Sequence, residues 1–437
     1  MITPYDWQEP LIQTVVGSLT KDRVFVSGYP TGAGKTVISL AAAKRFGGPH
    51  LVIAPKVSIT KWWRTADAMA MRDQLVGVLN PERVNGPRGS EFYTREQRWK
   101  LPPGTTVIWD EPHRGASGPK SVLTRALAEL KAYARALHAM SATVADSPLK
   151  LRALGWWCGL HQFHDSSFYG WCRQNGCKKV EIGWGPMSAG RTALKFTVNA
   201  KLAQAHMAAI RRAMGTKFQS LRADDIPGFP TQTVAIKLVD LEDRQRSEVD
   251  AAYAAMSERM TTLARSQMAE LGRERERIEF VVATALADLA AEYVAAGNSV
   301  VTFFSFTEPR LRFEAALREL EVPVVSVHGD QKETDRQVAI DAFQRNEIHA
   351  ISVMTKAGGV ALDLHDCLKQ RPRVSLITPT YEADLVKQNL GRIRRCEGTH
   401  ATQFIVLVAG TIQEKVVLSL ERKIKNIDTL NDTDLIP

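Results

Sequence analysis

Three groups of residues in this chain have the types and spacing for phosphate chemistry. In Thr31-Gly32-Ala33-Gly34-Lys35-Thr36, two glycines precede a lysine and a hydroxyl. Glycines let backbone N–H groups approach phosphate oxygens. The lysine neutralises β/γ-phosphate charge and the hydroxyl is a Mg²⁺ ligand, so Lys35 and Thr36 read as the centre of an ATP·Mg²⁺ site. Downstream, Asp110 and Glu111 are adjacent carboxylates. Asp110 suits the Mg²⁺ shell, and Glu111 suits orienting or deprotonating an attacking water. Upstream lies Gln8, whose single amide can both donate to and accept from an adenine edge.

These groups need elements to hold them. Val24-Phe25-Val26-Ser27 reads as a strand, and the alanine-rich Val37 to Phe46 as a helix, giving strand, phosphate loop, helix. The general pattern has Gly at position 29, where this chain has Tyr29, with Gly28 one step early. Leu51-Val52-Ile53-Ala54-Pro55 and Thr106-Val107-Ile108-Trp109 read as further buried strands. Loops at the carboxyl ends of parallel strands are where α/β sheets bind ligands, so Lys56, Thr60 and Lys61 are candidates to meet a phosphate backbone. Trp62 is expected simply to pack under the sheet. After an amphipathic helix (Val122, Ala126, Leu130, Tyr133), Ser141 and Thr143 stand at a strand end, placed to relay the state of the γ-phosphate site.

The second half repeats the alternation without a phosphate loop of its own. Ser299–Ser305 reads as a buried strand, Val324–Gln331 as another strand with a turn and Ala350–Gly359 as a third ending in a glycine turn. Alternating with helices, they lead to the expectation of a second parallel α/β lobe that completes a shared site. Its contribution is Gln388-Asn389-Leu390-Gly391-Arg392-Ile393-Arg394-Arg395. A guanidinium keeps its charge and bonds two phosphate oxygens at once. An arginine-rich helix is more often a solvated or nucleic-acid-binding face.

Between the halves, Cys158, His161, His164, Cys172 and Cys177 have ligand types for zinc. Their spacing fits no common zinc pattern, and Trp156, Trp157, Phe163, Phe168, Tyr169 and Trp171 crowd among them, so an aromatic helical core is expected. Arg211, Arg212, Lys217 and Arg222 form a basic stretch ahead of Ile226-Pro227-Gly228-Phe229-Pro230. From Asp243, the apolar stripe Val249, Tyr253, Met256, Met260, Leu263 marks one face of a long helix. Gly272 is expected to interrupt it before Ile278, Val282, Leu286, Leu289 and Tyr293 resume.

With 437 residues the chain has room for about two to four domains. A net charge of +10 leans toward a polyanionic partner. Five unpatterned cysteines suggest free thiols in a reducing compartment. No basic segment followed by an apolar stretch opens the chain, and no apolar run approaches the roughly 20 residues a membrane helix needs. A soluble protein without a membrane partner is expected.

The ordered set TGAGKT, VIAPK, DEPH, SAT and QNLGRIRR resembles superfamily 2 helicases and translocases. That resemblance implies two RecA-like lobes clamping ATP, with nucleic acid across their top. It carries over Arg392 and Arg395 as arginine fingers, His113 and Gln388 as coupling residues beside Ser141 and Thr143, and Thr355 and Lys356 as nucleic-acid contacts. A finger from the opposite lobe makes hydrolysis depend on closure, on the order of 10³-fold or more in rate. Within the superfamily, the Thr355-Lys356-Ala357-Gly358-Gly359 turn, Gln388 and the trailing Gly410-Thr411-Ile412-Gln413-Glu414-Lys415 resemble the Swi/Snf-like branch, whose members translocate on double-stranded DNA. Pro112 departs from the family's usual Ala, Ala361 from its Gly and Asp363 from its Asn.

The resulting expectation is an α/β protein with a RecA-like ATP-binding lobe over 1–238, a helical linking segment over 239–296 and a second RecA-like lobe over 297–437. It would be a monomeric, cytoplasmic DNA translocase or helicase of a bacterium or phage-infected host, driven by ATP and Mg²⁺ and serving replication, recombination or repair. Duplex DNA is the favoured partner. An RNA helicase is the rival of the same class, and a nucleic-acid-binding scaffold without chemistry the rival of another.

Overall fold

The computed structural model describes residues 2–84, 91–94, 98–112, 121–181, 192–262, 267–355, 362–380, 382–396, 398–409, 411 and 413–431. Short unbroken apolar runs set its first layer: β1 (Val24–Gly28), β2 (His50–Ile53), β3 (Leu75–Leu79), β4 (Thr106–Asp110) and β5 (Ala136–Met140) alternate with helices. Every residue of β1, β2, β4 and β5 is buried, as strands covered on both faces must be. An insertion follows, with helices Arg152–Cys158 and Asp165–Gln174, the antiparallel hairpin of β6 (Cys177–Glu181) and β7 (Thr192–Phe196), and helix Ala200–Met214. The chain then rejoins the sheet edge as β8 (Phe218–Ser220), giving the parallel order β3-β2-β4-β5-β1-β8.

The second sheet comprises β9 (Gln232–Val239), β10 (Ser299–Phe304), β11 (Val324–Val327), β12 (Ala350–Met354), β13 (Arg373–Ile377) and β14 (Ala401–Val408). It is again wholly parallel, in the order β11-β12-β10-β13-β14-β9. Two parallel α/β lobes are therefore present, as the motif order implied. The division differs from the expected one. All of β9 but its last residue falls inside the span assigned to the first lobe, yet it pairs along its full length with β14, from Gln232↔Ala401 to Val239↔Val408. Its half-exposed pattern suits a sheet edge, and the Pro/Gly stretch 226–230 just before it marks the crossing.

The helical segment is a layer of the second lobe rather than an arm between lobes. Helices Asp243–Thr262 and Gln267–Ala295 put Val249, Tyr253, Ile278, Val282, Leu286 and Leu289 into one core with Val300, Phe304 and Leu376. Gly272 does not interrupt: it lies within Gln267–Ala295. A helical glycine costs only about 1 kcal/mol relative to alanine, and the packed stripe outweighs that. Leu263 and the side chains of Met256 and Met260 lie outside what the structure describes.

In the insertion, Phe168, Cys172 and Cys177 form a small apolar core. The His161 ring packs against Phe168 and Trp171 at 5.1 and 4.9 Å, and His164 caps helix Asp165–Gln174 by accepting from the Ser167 N–H. Among the described residues, no group of three His, Cys, Asp or Glu is placed to hold a metal ion. No described helix is long and apolar enough to cross a membrane. The last helix, Gln413–Asn431, returns to the first lobe: Leu430 enters its core and Asn431 donates to the Ala142 carbonyl at 2.7 Å.

Candidate nucleotide site between the lobes

The phosphate loop leaves β1 at its carboxyl end and feeds helix Lys35–Phe46 directly. Gly32 and Gly34 have φ of +94° and +73°, which side-chain-bearing residues rarely adopt. Tyr29 needs no such freedom. Its ring is fully buried and its hydroxyl donates to Gln219 Oε1 at 2.7 Å, so it ties the loop's entry to β8. The Lys35 ammonium is turned into the loop and donates to the carbonyls of Tyr29 and Pro30 at 3.1 Å each. Burial lowers it to about 8; Glu111 and Asp110 oppose that shift, while Arg395 and Arg392 add to it. All four therefore lie within electrostatic reach of the loop lysine.

Gln8, expected at the adenine, contacts the loop itself. Its Nε2 donates to Ala33 O at 3.0 Å and its Oε1 accepts from the Tyr5 N–H at 3.0 Å. A Cβ on Gly34 would fall 2.5 Å from Gln8 Nε2, so the buried amide braces the turn against the preceding helix. Thr36 is half-buried on the first turn of the helix that follows.

Asp110 ends β4, and burial followed by the adjacent Glu111 pushes its carboxyl up to about 7. Lys35 and a hydrogen bond from Trp62 pull the other way. Trp62 was expected merely to pack. It is buried, and its indole N–H donates to Asp110 Oδ2 at 3.2 Å, which fixes the carboxylate from beneath. Glu111 adopts φ +53°, its N–H donates to Met140 O at 2.9 Å, and its Oε2 accepts from Ser141 Oγ at 2.5 Å. The Thr143 N–H donates to Ser141 Oγ at 2.9 Å. Ser141 and Thr143 are thus joined to the carboxylate pair through β5. Thr36 and Asp110 supply a hydroxyl and a carboxylate, the hard oxygen donors that suit Mg²⁺ while leaving it several waters.

The second lobe meets the loop through glycine. A Cβ on Gly391 would lie 2.5 Å from Thr31 Cβ, and one on Gly32 would lie 3.0 Å from both Arg395 Cδ and Arg394 O. Arg392 and Arg395 are buried at this junction. Arg394 bridges elsewhere: it donates to Pro230 O at 2.7 Å, pairs with Asp224 at 3.1 Å and lies 4.9 Å over the Phe229 ring. Gln388 is buried just before the turn.

The nucleic-acid candidates separate into two sets. Lys56, Thr60 and Lys61 are exposed beyond β2, as expected, and Lys61 reaches across to Asp363 of the second lobe at 3.3 Å. Thr355 is buried, with its hydroxyl accepting from Asn389 at 3.4 Å, so it serves the second lobe's interior rather than an exposed face. That corrects its expected role. Lys356, Ala361 and His113 lie outside the described residues. Asp363 was noted only as a departure from Asn; the structure gives it a partner in each lobe.

Residues 283–397 match the family described as Helicase conserved C-terminal domain. Over 99% of its length the chain is similar, at 24% identity, to 84% of a protein of Acanthamoeba polyphaga mimivirus named as an ATP-dependent RNA helicase. Among solved structures it is similar to a Sulfolobus solfataricus SWI2/SNF2 ATPase core in complex with dsDNA. That match has 14% identity and a TM-score of 0.37 over 99% of this chain and 94% of that one.

Proposed function

We propose that this chain is a helicase-type motor of superfamily 2 that couples ATP hydrolysis between its lobes to movement along DNA, as Swi/Snf-like translocases do. The match of residues 283–397 to the helicase C-terminal domain supports the helicase part of the reading. The observation that carries the reading is the junction of Gly391–Arg395 with Thr31–Gly32. It sets arginines of one lobe against the phosphate loop of the other, with the Thr31 side chain against Gly391 and Arg395 Cδ against Gly32. ATP lies on the loop with Lys35 released from the Tyr29 and Pro30 carbonyls to its β/γ-phosphates, and Gln8 stands beside the adenine. Thr36 and Asp110 would hold Mg²⁺, which would supply charge neutralisation for the phosphates. Glu111, oriented by Ser141, directs the water, and Arg392 and Arg395 stabilise charge on the transferring group. Product release lets the lobes separate, a hinge cycle that steps Lys56, Thr60 and Lys61 along a phosphate backbone. The protein acts as a cytoplasmic monomer in DNA replication, recombination or repair.

A second reading, RNA as the track, is favoured by the name of the mimiviral relative. The test is ATP hydrolysis on duplex DNA, single-stranded DNA and RNA across a salt series, with Glu111→Gln as the blank. Stimulation by duplex that fades with salt supports the DNA motor. Stimulation by RNA alone moves the assignment to an RNA helicase. No hydrolysis with any of the polymers leaves a nucleic-acid-binding scaffold without chemistry.

A further inference from the structure

Asp363 is the one carboxylate described here that bonds a candidate nucleic-acid contact of the first lobe and a candidate finger of the second. Its Oδ1 accepts from Arg395 Nε at 2.8 Å and its Oδ2 from Lys61 Nζ at 3.3 Å. The other Arg395 bonds run to the carbonyls of Gly391, Arg394 (3.4 Å) and Leu362 (3.1 Å), so the guanidinium is held by its own lobe. To bond two phosphate oxygens it must give up carbonyls on its Nη side. The Nε bond to Asp363 can stay intact while the Nη groups swing, which makes Asp363 the pivot. Arg395 Cδ already lies against the Gly32 position of the phosphate loop, so a small swing about that pivot suffices. Lys61 holds the other oxygen of the pivot and is itself exposed, with 46% of its side chain accessible.

We propose that Asp363 is a positioning residue that fixes Arg395 in the cleft and, through Lys61, makes that placement respond to nucleic acid. A backbone phosphate that takes Lys61 leaves Asp363 bonded to Arg395 alone. The carboxylate's full charge then orients the finger. Contact made on the outer face of the first lobe thereby reaches the site of hydrolysis without a change in any ATP-binding residue. The inference rests on the ATP-driven reading and adds a route by which polymer sets its rate.

The experiment is steady-state hydrolysis by the full chain, with and without the stimulating polymer, for Asp363→Asn, Lys61→Gln, the double variant and Arg395→Ala. Asparagine keeps an acceptor for Arg395 Nε and removes the charge, so kcat should fall on the order of tenfold with KM for ATP held within about twofold. Lys61→Gln should weaken polymer binding and raise the polymer-free kcat about two- to fivefold, the range an exposed ion pair supports. In the Asp363→Asn background it should add nothing. An unchanged polymer-free rate in Lys61→Gln, or an unchanged kcat in Asp363→Asn, overturns the proposal. Lys61 is exposed, so its variant carries the test even where Asp363→Asn fails to fold. Wild-type chain without any hydrolysis would count against the motor itself. Hydrolysis lost in Arg395→Ala but untouched by both other changes removes only the role of Asp363.

Discussion

Replacing Asp110 by Asn should stabilise the nucleotide-free protein, and by an amount that depends on pH in a defined direction. Folded, Asp110 keeps its proton up to about pH 7, because burial and then Glu111 oppose its charge. Unfolded, a carboxyl of this kind has lost its proton by about pH 4. Between those limits the folded state holds the extra proton, so stability drains as pH rises through the window and stays low above it. The gap corresponds to a ceiling of roughly 4 kcal/mol at 1.36 kcal/mol per pH unit, less whatever relaxation and sharing with Glu111 recover. Asn keeps an acceptor for the Trp62 indole and cannot ionise. The assay is a thermal unfolding midpoint in EDTA, without nucleotide, from pH 4 to 8, for Asp110→Asn against wild type. Glu279, also raised to about 7 by burial, contributes equally to both proteins and cancels. Lys35, lowered to about 8, exerts its effect above the window. The midpoint difference should grow from pH 4 to pH 7 and then level. A difference that is flat across that range, or that shrinks as pH rises, refutes the assignment of a strained, ligand-seeking carboxylate at the end of β4.

Trp62→Phe removes the indole donor while keeping an aromatic ring, and should raise the Mg²⁺ concentration that half-saturates nucleotide binding by about tenfold, read by fluorescent-nucleotide titration; a hydrogen bond to a charged group is worth about 1.5–3 kcal/mol. Gly391→Ala sets a methyl against the Thr31 side chain at the junction. Both lobes should fold, by circular dichroism, while kcat drops about tenfold or more, in line with a misplaced catalytic group; an unchanged kcat would mean the junction is not the working geometry. Lys35→Ala should abolish hydrolysis, measured as phosphate release, and residual turnover there would move the active site elsewhere. Arg395→Ala should spare ATP binding, measured by equilibrium titration, and lose turnover; lost binding would argue against a finger.

What could be read from the chain depended on how local each signal is. The phosphate loop carries its whole meaning within a few residues, because backbone freedom at Gly32 and Gly34 and the charge of Lys35 act together over one turn. The Asp110–Glu111 pair was legible for the same reason: a buried strand delivers it to the sheet's carboxyl edge. Trp62 packs in the core as expected, but its bond to Asp110 was not legible, because its apolar context and its burial are true of any core tryptophan. Its partner lies 48 positions away, and nothing near it in the chain signals an acceptor. Asp363 is separated from Lys61 by 302 positions, so its role as a bridge exists only once the lobes meet. β9 was assigned to the wrong lobe because its pattern is equally that of an edge strand in either sheet. The Pro/Gly stretch preceding it was the better sign of the crossing.

The last helix gives the molecule a mechanical property that its two sheets do not have. The chain leaves the first lobe once, through residues 221–231, and comes back through Gln413–Asn431, whose Leu430 and Asn431 are anchored beside β5. Two bodies joined at a single point can tumble about each other in every direction. Joined at two points, they keep one easy freedom, rotation about the line through those points, as a door turns on a pair of hinges. The arginine turn would then travel along an arc set by the position of that line, returning to the same contact with Thr31 on every swing.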